Sequence, residues 1–425
     1  MIDIARFRAD PEGFAEAWRH RGLDVDVAAL ADLDKRVREL KTEAESAKAE
    51  ANAASKAIGR VAKDGGDINA ARSEAKRLGD RGKELSEQRQ ELEDAFKAQI
   101  LELPNPCLTT VPVGSDETGN VVTETWGSPA TFAGDAKPHW ELGPALDILD
   151  FERGAKLSGS GFVVYRGLGA RLNRALISWF IDQLSGEHGY TELGVPYLVG
   201  PEAMQGTGQL PKFADQLYRC AEDELYLIPT AEVPVTNLHA GEIFDVADLP
   251  RRYCAHTPCF RREAGAAGVG TRGITRVHQF DKVEMVWLTT PERSDDDLMT
   301  MRGHAELMLQ RLGLHYRVLE LCTGDTGFSS AHTYDLEVWS PGTGSWLEVS
   351  SCSTFTDFQA RRAGLRYRSE PGAKPSLLHT INGSGLALPR CVIALLETHQ
   401  RSDGSVTVPE VLRPYLGGVE VIAPA

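Results

Sequence analysis

"PCFRREAGAAGVGTRGITRVHQFDKVE", residues 258–284, sets four arginines (Arg261, Arg262, Arg272 and Arg276) around a glycine-rich stretch and then runs into an alternating segment. In a chain of 425 residues with formal net charge -15, so local a concentration of guanidinium groups points to an anionic partner. The guanidinium fork matches two oxygens of a phosphate or carboxylate, and glycine lets backbone approach a ligand closely. Taken alone, the stretch also fits a surface loop with a few ion pairs.

The alternation predicts a strand over "VHQFDKVEMVWL" (277–288). With period two, His278, Phe280, Lys282 and Glu284 share one face, and Val277, Gln279, Val283 and Met285 the other. Phe280 and Glu284 then stand about 13 Å apart, which suits a ligand with an aromatic end and a cationic end. A second strand-like run, "ELYLIPTAEVPVTN" (224–237), places Thr230 and Glu232 side by side on one face. Two carboxylates with a hydroxyl can hold an ammonium group and a small polar side chain, although either strand alone also reads as ordinary half-buried sheet.

"SWLEVSSCSTFTDFQARR" (345–362) offers Glu348 and a run of serines, an oxygen-ligand set for Mg²⁺. Regular pleating separates Glu348 from Ser351, so their joint use requires a bulge. "NGSGLALPRCVIALLETHQ" (382–400) reads as a glycine-rich turn before an apolar helix, with Arg390 near the helix start as a second anion site. There is no P-loop signature and no persuasive Ser/His/Asp grouping. Together these features describe nucleotide chemistry without a protein nucleophile, driven by positioning and electrostatics.

The N-terminal quarter has another character. Val27, Leu30, Leu33, Val37 and Leu40 open a three–four alternation that continues through Ala44, Ala47, Ala51, Ala54, Ile58 and Val61. It resumes after "KDGGD" (63–67) with Ile68, Ala71, Ala75, Leu78, Gly82, Leu85, Leu92 and Phe96. This is a heptad seam broken once by a Gly-Gly turn, so two helices spanning about 27–100 pair antiparallel as an arm on the order of 50 Å long. Around the turn, Lys56, Arg60, Lys63, Arg72, Lys76 and Arg77 face only Asp64, Asp67 and Glu74. A basic tip can meet a phosphate backbone away from the body; an oligomerisation rod fits the seam equally well. "LPNPC" (103–107) ends the arm, because two prolines prevent helix continuation.

Residues 1–100 carry 19 Lys+Arg against 21 Asp+Glu, so the acidic excess lies in the body. The acidic total argues against a general nucleic-acid binder, which usually shows a basic surface. Seven scattered cysteines form no C-x-x-C pair, which points to a reduced, cytoplasmic protein rather than a disulfide framework or zinc ribbon. No apolar run reaches the roughly 20 residues needed to span a bilayer, and "MIDIARFRADPEGF" lacks a signal-peptide core. Adjacent strands without regular intervening helices favour an α+β fold on an antiparallel sheet.

The whole chain, from "MIDIARFR" to "VLRPYLGG", resembles the bacterial-type seryl-tRNA synthetases, a family of class II aminoacyl-tRNA synthetases. "GYTELGVPYLV" (189–199) looks like motif 1, the dimer-interface element; 258–284 looks like motif 2; and "NGSGLALPR" (382–390) looks like motif 3. "LIPTAEV" (227–233), "TYDLEVW" (333–339) and "EVSSCS" (348–353) are similarly specific. The resemblance implies an N-terminal tRNA-binding domain over 1–103 with a coiled-coil arm. It further implies a class II catalytic domain over 104–425, built on an antiparallel β-sheet flanked by helices.

It also implies the site. Thr230, Ala231 and Glu232 would surround the serine amino group, Glu284 its hydroxyl, and Ser384 would line the same pocket. Arg261 would bridge the serine carboxylate and the α-phosphate of ATP. Beside it, Arg262 and Glu263 belong to the ATP set, with Glu263 and the Val277 backbone at adenine and Phe280 stacked on it. Glu348, Val349, Ser350 and Ser351 would meet ATP, with Glu348 and Ser351 holding Mg²⁺, and Arg390 would take the γ-phosphate. The arm would grip the long variable arm of tRNA(Ser), and of a selenocysteine tRNA where the host has one, across a homodimer. The chain departs from the family pattern at Val269 and Gly270, where a basic–acidic pair is usual, and at Pro389, where glycine is common. A non-catalytic tRNA-binding paralogue is the rival expectation; retention of Arg261, Glu284 and Arg390 speaks against it.

Overall fold

The structure, a computed structural model, describes residues 1–132, 134–264 and 272–424. It divides into two compact units, one over Ile2–Leu103 and one built from residue 104 onward together with Met1.

In the first unit, helices α1 (Val27–Lys63) and α2 (Ile68–Leu101) form the arm. The Asp26 and Asp67 side chains cap their N-termini by accepting from backbone N–H groups. Gly65 takes φ +70 in the turn, a conformation that costs glycine nothing. Leu40, Ala44, Ala47 and Leu85 are the buried heart of the seam. Toward the turn Ala51, Ala54, Ile58 and Val61 are only half-buried, so the seam persists while its core thins. The buried Asp34, which the heptad reading does not anticipate, is held by Arg8 at 2.7 Å and Arg38 at 3.0 Å.

The second unit is organised by an eight-stranded sheet. In chain order its strands are β1 (Val121–Trp126), β2 (Thr191–Glu192), β3 (Arg251–Phe260), β4 (Gln279–Thr289), β5 (Tyr316–Glu320), β6 (His332–Ser340), β7 (Ser345–Thr356) and β8 (His379–Ala387). The spatial order is β1-β5-β6-β7-β8-β4-β3-β2, antiparallel except for the parallel β2–β3 edge. Helices α3 (Gly167–Asp182), α5 (Ser294–Arg311) and α6 (Leu388–Thr398) join the core that buries Val283, Met285 and Trp287 of β4. On the opposite face, Val286 and Leu288 lie under a smaller layer with Ala231, Val235, Phe244 and Leu365. Beyond Val286 the apolar face gives way to the buried polar residues Glu284 and Lys282, next to the cleft. No helix of the described residues is long and apolar enough to cross a membrane.

Two local expectations fail. The run 224–237 is a strand only over Leu225–Leu227; Glu232–Asn237 is helix α4. Pro234 stands in its first turn, where a missing N–H is harmless, and burial of Val233 and Val235 outweighs their strand preference. The glycine-rich part of 382–390 is not a turn but the end of β8. A Cβ at Gly383 would stand 2.8 Å from Cys352 Sγ and 3.0 Å from Met301 Sδ, so glycine there serves close packing.

Candidate active site

Four sheet strands bring the site residues together. In the β3–β4 pair Ala255 faces Glu284, and in the β4–β8 pair Glu284 faces Ser384. A cavity of about 240 Å³ opens between the end of β3, β4, β7 and the start of α6. Arg261, Glu263, Val277, Phe280, Glu348, Val349, Ser384 and Arg390 all line it, as motifs far apart in sequence converge.

The deep end, behind Lys282 and Ser384 of the cavity lining, is a closed polar network. The Thr230 hydroxyl donates to Glu284 Oε2 at 2.7 Å and accepts from Lys282 Nζ at 2.9 Å and from the Glu232 N–H at 3.2 Å. Lys282 is also ion-paired with Glu284, and Asn382 Nδ2 donates to the other Glu284 oxygen at 3.1 Å. Glu232 accepts from Gln359 Nε2 at 2.6 Å, and Gln359 in turn accepts from the Thr380 hydroxyl at 2.7 Å. Ala231 is fully buried one residue before α4. Burial, then the charge of Glu284, pushes the Glu232 carboxyl up to about 7. Two carboxylates against one ammonium leave this end one positive charge short of neutrality when both are ionised.

The outer end is looser and richer in arginine. The Arg261 guanidinium lies 5.2 Å over the Phe280 ring and its Nε donates to Pro229 O at 3.4 Å. Arg262 is exposed, with its backbone N–H on Gln216 O at 3.0 Å. Glu263 adopts φ +49, unusual for a residue with a Cβ, and meets Arg276 at 3.4 Å. Val277 is buried beneath the cavity wall. Arg390, in the first turn of α6, donates to Glu348 O at 2.7 Å and pairs with its carboxylate at 3.3 Å. Pro389 occupies the second position of α6, where the N–H it lacks would have no intrahelical acceptor. Val269 and Gly270 lie outside the described residues.

The β6–β7 register contains the bulge that joint use of Glu348 and Ser351 requires. Ser351 faces Asp335 and Ser350 faces Leu336, but Glu348 faces Glu337, so Val349 is an extra residue. Glu348 and Ser351 therefore share a face with Asp335. Ser350 points the other way and donates its hydroxyl to Ser384 O at 2.6 Å, bracing β8. Oxygen donors on one face beside an arginine-lined cavity fit a hard divalent cation completed by phosphate oxygens.

Three members of this site are absent from the site set read in the sequence. Lys282 sits between Phe280 and Glu284 on the same strand face, a position that period two already marks. Gln359 and Asn382 carry no such signal, because they reach Glu232 and Glu284 only through tertiary packing. At the tip of the arm, Arg77 is tied to Glu74 at 2.7 Å. Lys56, Arg60, Lys63, Arg72 and Lys76 are exposed. Burial pushes the Cys254 and Cys352 thiols up to about 12, away from the range of an activated nucleophile.

Comparison with known proteins places the chain in a family. Residues 1–107 match the seryl-tRNA synthetase N-terminal domain, and residues 216–399 match the tRNA synthetase class II core domain (G, H, P, S and T). The chain is 53% identical to the serine--tRNA ligase of Roseiflexus sp. (strain RS-1), with 99% of each chain covered. It is 54% identical to that of Herpetosiphon aurantiacus, over 99% of this chain and 100% of the other. The crystal structure of seryl-tRNA synthetase from Pyrococcus horikoshii complexed with ATP superposes with a TM-score of 0.94 at 36% identity, covering 100% of both chains. The chain belongs to the seryl-tRNA synthetase family of class II aminoacyl-tRNA synthetases.

Proposed function

We propose that the chain is a serine--tRNA ligase whose cleft activates L-serine with ATP and passes the seryl group to the 3′ end of tRNA(Ser). The observation that carries this reading is the buried network of Thr230, Glu232, Lys282 and Glu284, placed beside a cavity lined by Arg261 and Arg390.

Serine's ammonium supplies the positive charge that the deep end lacks, with Glu232 as its acceptor and Thr230 alongside. The serine hydroxyl donates to Glu284, which is acceptor-only when ionised. Alanine has no hydroxyl to satisfy that carboxylate, and threonine must fit a further methyl beneath Ser384. At the outer end Arg261 faces both the serine carboxylate and the α-phosphate, so it aligns attacker and target. Phe280 takes the adenine ring, Glu263 and Val277 flank it, and Arg390 draws the terminal phosphate outward. Glu348 and Ser351 are the residues suited to hold Mg²⁺, which when bound neutralises phosphate charge. The serine carboxylate oxygen attacks the α-phosphorus, pyrophosphate leaves, and seryl-adenylate remains. A ribose hydroxyl of the terminal tRNA nucleotide then takes the acyl group and AMP departs.

In this reading residues 1–103 form the tRNA-binding domain and 104–425 the catalytic domain. Two copies pair through 189–199, where Tyr197 and Leu198 are each 43% exposed. The basic tip of the arm holds tRNA phosphates in the cytoplasm, and a selenocysteine tRNA with a long variable arm is a second acceptor. The test is charging of tRNA(Ser) transcripts with radiolabelled serine. Serylation that disappears when the variable arm is deleted supports the reading, and serine activation without any transfer to tRNA overturns it.

A further inference from the structure

Asp335, in the "TYDLEVW" segment, has no role in the site as described above. It lies on β6 directly across from Ser351, and the bulge at Val349 brings Glu348 onto the same face. Facing residues of antiparallel strands have Cβ atoms about 5 Å apart, so the Asp335 carboxylate and the Ser351 hydroxyl are side by side. Register carries this face on across the sheet: Ser353 pairs with Asn382, and Ser384 with Glu284. Asp335 thus looks toward the same side as the cleft.

The neighbouring carboxylates are already engaged. Glu337 is held by Arg317 at 2.6 Å and Glu348 by Arg390 at 3.3 Å. Asp325, also nearby, accepts from Asn120 Nδ2 at 2.7 Å. Asp335 Oδ1 is shielded from solvent and has no hydrogen-bond partner. A shielded oxygen without a donor is costly, and among the described residues no basic side chain pairs with it. Such an atom asks for a donor or cation that arrives with a ligand.

We propose that Asp335 is a positioning residue of the divalent-cation site, turning the Ser351 hydroxyl so that its lone pairs face the ion and adding an oxygen donor behind it. This rests on the assignment of Glu348 and Ser351 to the cation. A hydroxyl that ligates through oxygen still has its proton to donate, and Asp335 is the acceptor across the strand pair. Groups standing behind metal ligands commonly govern affinity about 10- to 100-fold.

The test is an electron paramagnetic resonance titration of Mn²⁺ into the full-length protein with α,β-methylene-ATP. It compares the unaltered protein with D335N, D335S, S351A, the D335N/S351A double variant and E348Q, with serine affinity measured on each by calorimetry. The expected result is a 10- to 100-fold loss of Mn²⁺ affinity in D335N with serine affinity unchanged, and a double variant no weaker than S351A. Unaltered Mn²⁺ affinity in D335N, while E348Q and S351A lose theirs, overturns the role of Asp335 and leaves the cation site standing. Unaltered affinity in E348Q as well overturns the site itself. Loss of serine affinity in both D335N and D335S assigns Asp335 to sheet stability instead, which also overturns the proposal.

Discussion

Glu348 lines the cavity, Glu284 lies in the buried network behind Lys282 and Ser384, and their surroundings differ. Glu284 is 1% exposed, and both of its oxygens accept hydrogen bonds. The Glu348 side chain is 46% exposed and holds Arg390 loosely at 3.3 Å. The deep end is preorganised and dry, where an unmatched group is expensive. The outer end is solvated, where charges attract a ligand but each contact is worth little until the ligand excludes water. In the proposed function, selectivity for the amino acid would therefore belong to the deep end, and capture of the nucleotide to the outer one.

Removing Glu284 is the sharpest way to break that contrast. E284Q is expected to lower serine-dependent pyrophosphate exchange on the order of a thousandfold, because one acceptor oxygen becomes an NH2 donor and the charge facing Lys282 is lost. E284A also strands the Lys282 ammonium, costing about 3–5 kcal/mol in urea unfolding. E284Q retaining a tenth of the activity would remove the deep end as the selector. At the outer end, R390A is expected to raise the KM for ATP about 10- to 100-fold, the worth of one charged hydrogen bond. Its KM for serine should stay within about twofold, and an equal rise in both would show the ends to be coupled.

The pH response follows from Glu232, raised to about 7 by burial and then by Glu284. The ammonium of serine needs the ionised form, so the KM for serine should climb as pH falls below about 7, by up to about tenfold per unit. Stability of the substrate-free protein should run the other way. Between the unfolded carboxyl value near 4.5 and about 7 the folded state binds more protons, so that contribution is full at low pH and lost as pH rises through about 7. E232Q should flatten both curves; a KM that stays pH-dependent in E232Q assigns the titration elsewhere. The smallest effect is expected from P389A: a KM for ATP within about twofold of the unaltered protein, and stability lower by about 0.4–1 kcal/mol from the freer unfolded chain.

The same contrast explains what could be read from the sequence. The arm was legible because the three–four seam and the Gly-Gly turn are local, and α1 and α2 begin and end where the seam does. Phe280, Lys282 and Glu284 were legible as one face because β4 is regular, whereas 224–237 was not, since tertiary burial turned its second half into α4. The bulge at Val349 could be required by chemistry but not located by pattern, because it exists only in the pairing with β6. Gln359 and Asn382 were illegible, because the carboxylates they hold lie 127 and 98 residues away in the chain.

The most direct test of the central claim is amino-acid-dependent ATP–pyrophosphate exchange by the purified protein with Mg²⁺, offering serine, threonine, alanine and glycine in turn. The account predicts exchange with serine at least about a hundredfold above each of the others. Comparable exchange with alanine, or none with any of the four in folded protein, would contradict it.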